Sequence, residues 1–436
     1  MSIKNRLLNG ISWRLLGSVS GQLMSFMAVI VSARLLGNEN YGMFSLVQST
    51  VVMFSSVAGA GLGVTATKFI AEYKGMPEYK EKLNKILGLS HVTANVISMA
   101  LTLIMILFAR YIALEIFKEE VLITQLLYAS VYIFFFTING YQVGVLTGLE
   151  KFDDVSKIGI LKGLFSLAFL SVFIYLWGLN GAAIAIVVTS AISYFYSKRL
   201  VTKAMKNNDI QFTYKKIMEE KEILWIFTFP AALIGIIGGV ATWLANQFLV
   251  NYSADRFISL SLFNLASNLK IIMTFFPMVV LGVTSPILVS LKNKDYRSYK
   301  KLFKLNILLN GSLTIIFSFM VIISLPLILK FVGEGYNGVT SVIIIIGLSA
   351  VVEIISTCIY QEIYINNKIW TNFISTVCWA IILICTTFFL SEKYGALAIA
   401  MGYLFANIFQ NIFYIFVYYK IRRDNNKIIE DMKHES

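Results

Sequence analysis

An arginine lies a few residues inside the first long apolar stretch, "GISWRLLGSVSGQLMSFMAVIVSARLLG". On a helix, Arg14, Ser18, Gln22 and Ser25 are spaced by four, four and three residues, so they share one face. A charge embedded in hydrocarbon is costly and usually faces a bundle interior or a water-filled cavity. A guanidinium also binds phosphate through two parallel hydrogen bonds. The stripe therefore predicts a hydrated, anion-binding cavity, although an arginine this near the end of a span could instead extend to the interface.

A second polar face occurs in "FNLASNLKIIMTFFP", where Asn264, Asn268 and Lys270 occupy one broad side of a helix. Lys270 is about 20 residues, or about 30 Å of helix, from the basic end of its span. That distance excludes contact with the interface on that side. The remaining alternatives are the same hydrated cavity or the opposite interface.

Two further lysines, Lys68 and Lys162, lie closer to the predicted inner boundary, and both are expected to extend toward it. Lys68 is kept as a candidate for the cationic lining because it lies within a span. The predicted substrate-binding residues are Arg14, Gln22, Lys68, Asn264, Asn268 and Lys270.

One acid, Glu353, lies about 13 residues from the predicted inner loop, near the middle of its span. A carboxylate at that depth is neutral, paired with a cation such as Arg14 or Lys270, or a coupling site for H⁺ or Na⁺. The two histidines and three cysteines are too scattered for a metal site, and no motif of a hydrolase or nucleotide-binding loop occurs. We therefore expect no catalytic residue, no metal and no cofactor.

These residues must be positioned by membrane helices. Of the 436 residues 57% are hydrophobic and 14% charged, which is typical of an integral membrane protein, and each crossing needs about 20 apolar residues. The fold predicted is all-α, with about twelve transmembrane helices. The predicted spans are 10–33, 42–70, 86–109, 122–148, 158–177, 180–200, 222–250, 258–290, 303–330, 338–363, 369–390 and 395–419.

Basic residues are distributed unevenly between the two sides. Of 37 lysines and arginines, 28 lie in the N-terminus, the tail and the loops after even-numbered spans or at their boundaries, against 6 on the opposite side. The positive-inside rule then places both termini in the cytoplasm. The net charge of +13 thus reflects topology, with membrane lipids rather than nucleic acid as the expected contact.

Three pairs of short words recur at nearly one offset, which indicates an internal repeat. The matched words are "NENYGMFSLVQ" with "SADRFISLSLFN", "YQVGVLTGLEK" with "YQEIYINNK", and "LNGAAIAI" with "KYGALAIA". The members of each pair are about 214 to 217 residues apart. We predict a six-helix lobe over 1–205, a cytoplasmic linker over 206–221, a second six-helix lobe over 222–419 and a basic tail over 420–436. The substrate cavity of such repeats is expected between the halves.

The words "SARLLGNENYGMFSL", "ATKFIAEYKG", "LNGAAIA" and "YGALAIA" resemble polysaccharide exporters of the O-antigen flippase (Wzx) type. That family belongs to the multidrug/oligosaccharidyl-lipid/polysaccharide (MOP) exporter superfamily. The resemblance implies a flippase that moves a polyprenyl-diphosphate-linked oligosaccharide across the bacterial inner membrane by alternating access, through a cationic lumen. It also implies that H⁺ or Na⁺ could drive transport and that a membrane polysaccharide polymerase could be a partner.

Two other classes compete with this interpretation. A multidrug or organic-cation antiporter of the same superfamily would rely on embedded acids, but Glu353 is nearly alone against three embedded basic residues. A polysaccharide polymerase or ligase would need a large external loop to hold its active site, and the longest external segment is about "RYIALEIFKEEV". The exporter is therefore favoured, and an enzyme is not expected.

Overall fold

The computed structural model describes the backbone over 3–292, 296–333, 335–336, 338–365 and 369–434. It describes side chains over 19–56, 61–225, 228–229, 232–282, 284, 287–288, 291, 297–333, 335–336, 338–363, 370–421 and 423.

Twelve long helices make up the described backbone, which contains no strand, so the all-α prediction is confirmed. Short helical turns follow or precede them at Pro77–Tyr79, Ile112–Ile116, Ile217–Glu220, Lys221–Ile223 and Leu224–Thr228. The long helices are α1 (3–36), α2 (38–73), α3 (Lys80–Tyr111), α4 (Leu122–Gly148), α5 (152–177), α6 (179–207), α7 (Phe229–Tyr252), α8 (Arg256–Lys292), α9 (Tyr296–Val332), α10 (Val339–Ile365), α11 (Ile369–Tyr394) and α12 (Ala396–His434).

Two glycines divide helical segments that are otherwise continuous. Gly37 (φ 71°, ψ 175°) separates α1 from α2, and Gly178 (φ 54°, ψ −131°) separates α5 from α6. Side chains with a Cβ rarely adopt either conformation. Ten segments of the described chain are long and apolar enough to cross a membrane, and two of them contain these breaks. The ten segments therefore hold the twelve predicted crossings.

The backbone also carries the internal repeat. Gly178 (φ 54°) before α6 and Gly395 (φ 52°) before α12 are 217 residues apart. Lys118 (φ 54°) before α4 and Gly335 (φ 102°) before α10 are separated by the same 217 residues. Left-handed turns at matching positions in two halves of a chain support the six-plus-six architecture.

The chain divides into two compact units, Met1–Trp243 and Leu244–Ser436. In unit 1, Trp243 donates its indole N–H to the Thr50 hydroxyl of α2 over 3.0 Å. In unit 2, Phe248 packs edge-to-face on Phe388 of α11, with ring centroids 5.2 Å apart. The two parts of α7 are thus each anchored within their own unit. The sequence assigns the whole of α7 to the second lobe.

Within unit 1, α1 and α5 approach almost to backbone contact. A Cβ on Gly21 would lie 2.8 Å from the Gly159 carbonyl oxygen, and one on Gly163 would lie 2.7 Å from that of Gly21. Small residues at such crossings let membrane helices pack closely. This contact fixes the stretch of α5 that carries Lys162.

The segment between α6 and α7 is held against α3. The Asn84 carbonyl oxygen accepts from the Thr213 N–H (3.2 Å), and its side-chain oxygen accepts from the Gln211 N–H (3.0 Å). Lys85 forms an ion pair with Glu219 at 2.9 Å. Hydrogen bonding to Lys85 holds the pKa of Glu219 below its usual value. The predicted linker therefore contains a docked segment of unit 1.

Three helices of unit 2 are joined by a buried amide network. Thr284 of α8 donates to the Asn306 side-chain oxygen of α9 over 2.8 Å, and Asn310 donates to the same oxygen over 2.8 Å. Asn306 donates in turn to Gln361 of α10 over 3.0 Å. Polar networks of this kind rigidify a helical interior, and this one links α8 to α10 through α9.

Candidate functional site

Lys270 of α8 and Glu353 of α10 form an ion pair in unit 2. Each residue is 14 positions after its helix begins, at Arg256 and Val339, so each lies about 21 Å along its helix. One helix, α9, lies between them in the chain, so α8 and α10 run in the same direction. The charged groups therefore meet at one depth.

The pair is partly enclosed, with side-chain exposures of 14% for Lys270 and 31% for Glu353. The Lys270 ammonium lies 5.3 Å from the ring centroid of Tyr403, which is within cation–π range. Glu353 accepts a hydrogen bond from Asn407 of α12, whose amide nitrogen lies 3.4 Å from the carboxylate oxygen. Both charges are thus stabilised beyond their mutual attraction.

Asn407 links three helices beside the ion pair. Its side-chain oxygen accepts from the Trp379 indole N–H of α11 at 2.8 Å. Its amide also donates to the Ser349 hydroxyl of α10 at 2.9 Å. Tyr403, one turn earlier on α12, packs edge-to-face on Trp379 with ring centroids 5.6 Å apart. Asn407, Trp379 and Tyr403 therefore fix one another's positions.

These groups border a cavity of about 310 Å³ that lies within unit 2. On α10, α11 and α12 the lining residues are spaced by about three or four positions, so each of these helices presents one face. From α8 and α10 the lining residues are Lys270, Glu353, Ser356, Thr357 and Tyr360. From α11 and α12 they are Asn372, Thr376, Trp379, Tyr403, Asn407, Gln410 and Tyr414.

Two tyrosines, Tyr360 and Tyr414, line the part of the cavity farther along α10 and α12. Tyr414 donates its hydroxyl to the Asn372 side-chain oxygen over 2.7 Å. Gln410 donates to the Tyr414 hydroxyl over 3.3 Å. Tyr360 stacks on Tyr414 with ring centroids 5.5 Å apart. Lys270 and Glu353 are the charged members of the lining, so its net charge is zero.

Unit 1 contains a second lysine within a span, Lys162, which contacts an aromatic ring. The Lys162 ammonium lies 5.0 Å from the ring centroid of Phe136 on α4, and Tyr132 packs beside that ring at 5.4 Å. Lys162 is ten residues, or about 15 Å, into α5. Phe136 is twelve residues, or about 18 Å, from the end of α4 that the turn at 149–151 joins to α5.

The ammonium of Lys162 therefore lies at least as deep as its own backbone. The expectation that it extends to the inner interface is wrong, because the aromatic pair offers an alternative to water. Within the described part of the chain it forms no ion pair. Lys162 is thus an embedded cation without a carboxylate partner.

The remaining predicted residues lie in several settings. Asn264 and Asn268 donate to carbonyl oxygens four residues earlier on α8, at 3.0 and 2.8 Å, and do not line the cavity. Lys68 is exposed five residues from the end of α2, with its ammonium 5.2 Å from the Phe69 ring. Gln22 is half-buried, beside the contact of α1 with α5.

Arg14 lies in the backbone of α1, but its side chain is outside the described residues. Of the residues predicted from sequence, the structure brings Lys270 and Glu353 into contact. Over the described residues no group of three or more histidine, cysteine, aspartate or glutamate side chains could hold a metal ion.

The sequence reasoning overlooked the contributions of α11 and α12. Their signal was present, because amides and aromatic residues recur at spacings of three and four in two otherwise apolar spans. Asn372, Thr376 and Trp379 form one such row, and Asn407, Gln410 and Tyr414 form the other.

Comparison with known proteins gives a family and a fold. The model of a family described as polysaccharide biosynthesis protein matches residues 7–292. No curated protein matches the sequence significantly.

Solved structures share the fold across nearly the whole chain. One is the inward-facing conformation of a multidrug resistance MATE family transporter of the MOP superfamily, with 14% identity, a TM-score of 0.75, and 92% of this chain and 96% of that chain covered. Another is a MOP superfamily transporter from Pyrococcus furiosus described as having a binding pocket of reverse polarity that suggests a different function. It has 15% identity, a TM-score of 0.65, and 95% and 96% coverage.

Proposed function

The chain belongs to the polysaccharide biosynthesis protein family, and from that premise we propose that it is a flippase for a lipid-diphosphate-linked oligosaccharide. Its fold is that of MOP superfamily transporters. Family and fold both indicate a multi-pass membrane transporter rather than an enzyme. The proposal adds the substrate, a polyprenyl-diphosphate-linked repeat unit, and the mechanism, alternating access across the cytoplasmic membrane.

The main support for an anionic substrate is the position of Lys162 within a span, where it has no ion-pair partner among the described residues. An embedded ammonium without a carboxylate partner is costly, so it persists where it serves a ligand or a water-filled path. In the structure the Lys162 ammonium contacts the Phe136 ring, which stabilises the charge without neutralising it. A diphosphate would supply the missing negative charge through charge-assisted hydrogen bonds. In this proposal Arg14 and Lys68 are further cations of the substrate path, and Gln22 is a hydrogen-bond donor on α1.

Lys270 has a different place in the proposal from the one suggested by sequence. Glu353 already supplies the opposite charge, so Lys270 gains less from a phosphate than Lys162 does. Because the chain has no nucleotide-binding motif, an ion gradient is the energy source we propose. Glu353 is the proposed coupling residue, since its protonation or its binding of Na⁺ would release Lys270.

The alternative function is an antiporter of organic cations, and Glu353 among aromatic rings is the observation that favours it. An organic cation would have to displace Lys270 from the carboxylate and leave the ammonium without its partner. Removing one partner from an enclosed ion pair is unfavourable. A coupling ion at Glu353 would carry the same cost, so the choice rests on Lys162, whose charge an anionic ligand would neutralise and an organic cation would not. The exporter of an anionic lipid is therefore the better supported function.

The proposed orientation has both termini in the cytoplasm, supported by the distribution of basic residues, which is 27 to 6 once Lys162 is counted as embedded. The substrate is then loaded from the cytoplasmic leaflet. A polysaccharide polymerase on the opposite side would consume it, as in O-antigen synthesis.

A deletion strain tests the proposed function. Loss of the gene should abolish the surface polysaccharide and accumulate repeat units on the carrier lipid in the cytoplasmic leaflet. Re-expression of the wild-type chain should restore both. Normal surface polysaccharide in a strain without a second exporter would contradict the proposal.

A further inference from the structure

We propose that the cavity of unit 2 is a saccharide-binding subsite that takes the neutral, hydroxyl-rich part of the substrate and leaves the diphosphate to cations elsewhere. The inference rests on the proposed function, which it deepens by dividing the substrate between two chemically different sites. It also assigns a role to the aromatic and amide residues of α11 and α12.

The first argument is charge. The cationic and anionic members of the lining, Lys270 and Glu353, are already paired with each other. A diphosphate would have to compete with Glu353 for the ammonium and would bring two or more negative charges close to that carboxylate. A neutral sugar hydroxyl can instead accept from Lys270 or donate to Glu353 while the pair stays intact.

The second argument is the aromatic surface. Trp379 and Tyr403 border one end of the cavity, and Tyr360 and Tyr414 border the other. Tyr403 and Tyr414 are eleven residues apart on α12, or about 16 Å. Sugar rings present C–H-bearing faces that pack on electron-rich aromatic rings, so each of the two platforms can take one ring of an oligosaccharide.

The third argument is hydrogen-bonding capacity that the protein leaves unused. The Asn372 side-chain oxygen accepts from Tyr414, but its amide N–H groups have no partner in the described chain. Gln410 donates to Tyr414, while its side-chain oxygen likewise accepts nothing there. A donor and an acceptor in the lining of one cavity match hydroxyl groups, and sites of this kind discriminate strongly for them.

Binding of two radiolabelled lipids to the purified full-length protein in nanodiscs tests the inference. The probes are undecaprenyl diphosphate alone and the same lipid carrying a neutral disaccharide. The variants are Trp379→Leu, which removes a stacking surface, and Gln410→Ala, which removes only an amide. Trp370→Leu is the matched control, because Trp370 is an exposed tryptophan on the same helix that does not line the cavity.

We expect the wild-type protein and Trp370→Leu to bind the disaccharide lipid about fivefold or more tightly than the sugar-free lipid. Trp379→Leu should bring this ratio close to one, and Gln410→Ala should lower it, with the affinity for the sugar-free lipid unchanged in both. If Trp379→Leu folds poorly, Gln410→Ala still decides the test, because it removes an amide and no large apolar side chain.

Three results would overturn the inference. If both lipids bind and neither cavity variant changes the ratio, the subsite is wrong and the proposed function survives. If neither lipid binds the wild-type protein, the proposed function fails and the inference fails with it. If tetraphenylphosphonium binds and loses affinity in Trp379→Leu and Glu353→Gln, the cavity is a cation site.

Discussion

At the scale of single residues, the two embedded lysines differ in how their charge is compensated. Lys270 has Glu353 as an ion-pair partner, whereas Lys162 has the face of Phe136. A ring quadrupole stabilises an ammonium by about 0.5 to 2 kcal/mol, which is far less than the cost of removing it from water. Lys162 is therefore the residue whose charge is most available to a ligand.

Replacement of Lys162 tests this difference. Lys162→Gln should lower export of surface polysaccharide by about tenfold, because it removes a charge-assisted hydrogen bond of about 1.5 to 3 kcal/mol. Lys162→Arg should retain much of the activity. Lys157→Gln is the control on the same helix, since its ion pairs with Asp153 and Asp154 are exposed and contribute little. Equal export from both glutamine variants at matched expression would show that Lys162 binds no substrate.

The ion pair of unit 2 makes a second prediction. Lys270→Gln or Glu353→Gln alone should lower the Tm in detergent, because each leaves one enclosed charge without its partner. The double substitution should recover most of the loss, since two neutral amides remain. A double variant whose loss equals the sum of the two single losses would contradict the pairing.

At the scale of helices, most of the architecture could be predicted from sequence, because lipid forces each crossing to be a continuous apolar helix. The breaks at Gly37 and Gly178 fall in the gaps between the predicted spans 10–33 and 42–70, and 158–177 and 180–200. The meeting of Lys270 with Glu353 was one of several pairings left open, since sequence spacing gives depth but not which helices are neighbours. The rows on α11 and α12 were missed because amides and aromatic residues carry no charge to mark them.

The break at Gly178 can be tested by substitution. Gly178→Ala should destabilise the protein by about 1 to 3 kcal/mol, because its φ of 54° and ψ of −131° suit only glycine. Gly140→Ala, within α4, meets no atom within 4 Å and should be neutral or slightly stabilising. Thermal unfolding in one detergent compares them, and equal Tm values would mean that α5 and α6 form one straight helix.

At the scale of the whole molecule, twelve crossings return the chain to its starting side, and the proposed orientation puts that side in the cytoplasm. Single cysteines in a background without Cys358, Cys378 and Cys385 test the orientation with a membrane-impermeant maleimide. Cysteines at Glu39 and Glu120 should react in intact cells. Cysteines at Glu78 and Asn207 should react only after permeabilisation, and the reverse pattern would invert the proposed topology.

Movement of a lipid-linked saccharide by this chain can be measured directly in proteoliposomes. The assay follows translocation of a fluorescent polyprenyl-diphosphate disaccharide, read as loss of protection from an impermeant quencher. The wild-type protein should translocate the lipid, Lys162→Gln should translocate far less, and tetraphenylphosphonium should not compete. Transport of tetraphenylphosphonium with no movement of the lipid, under either a proton or a sodium gradient, would contradict the proposed function.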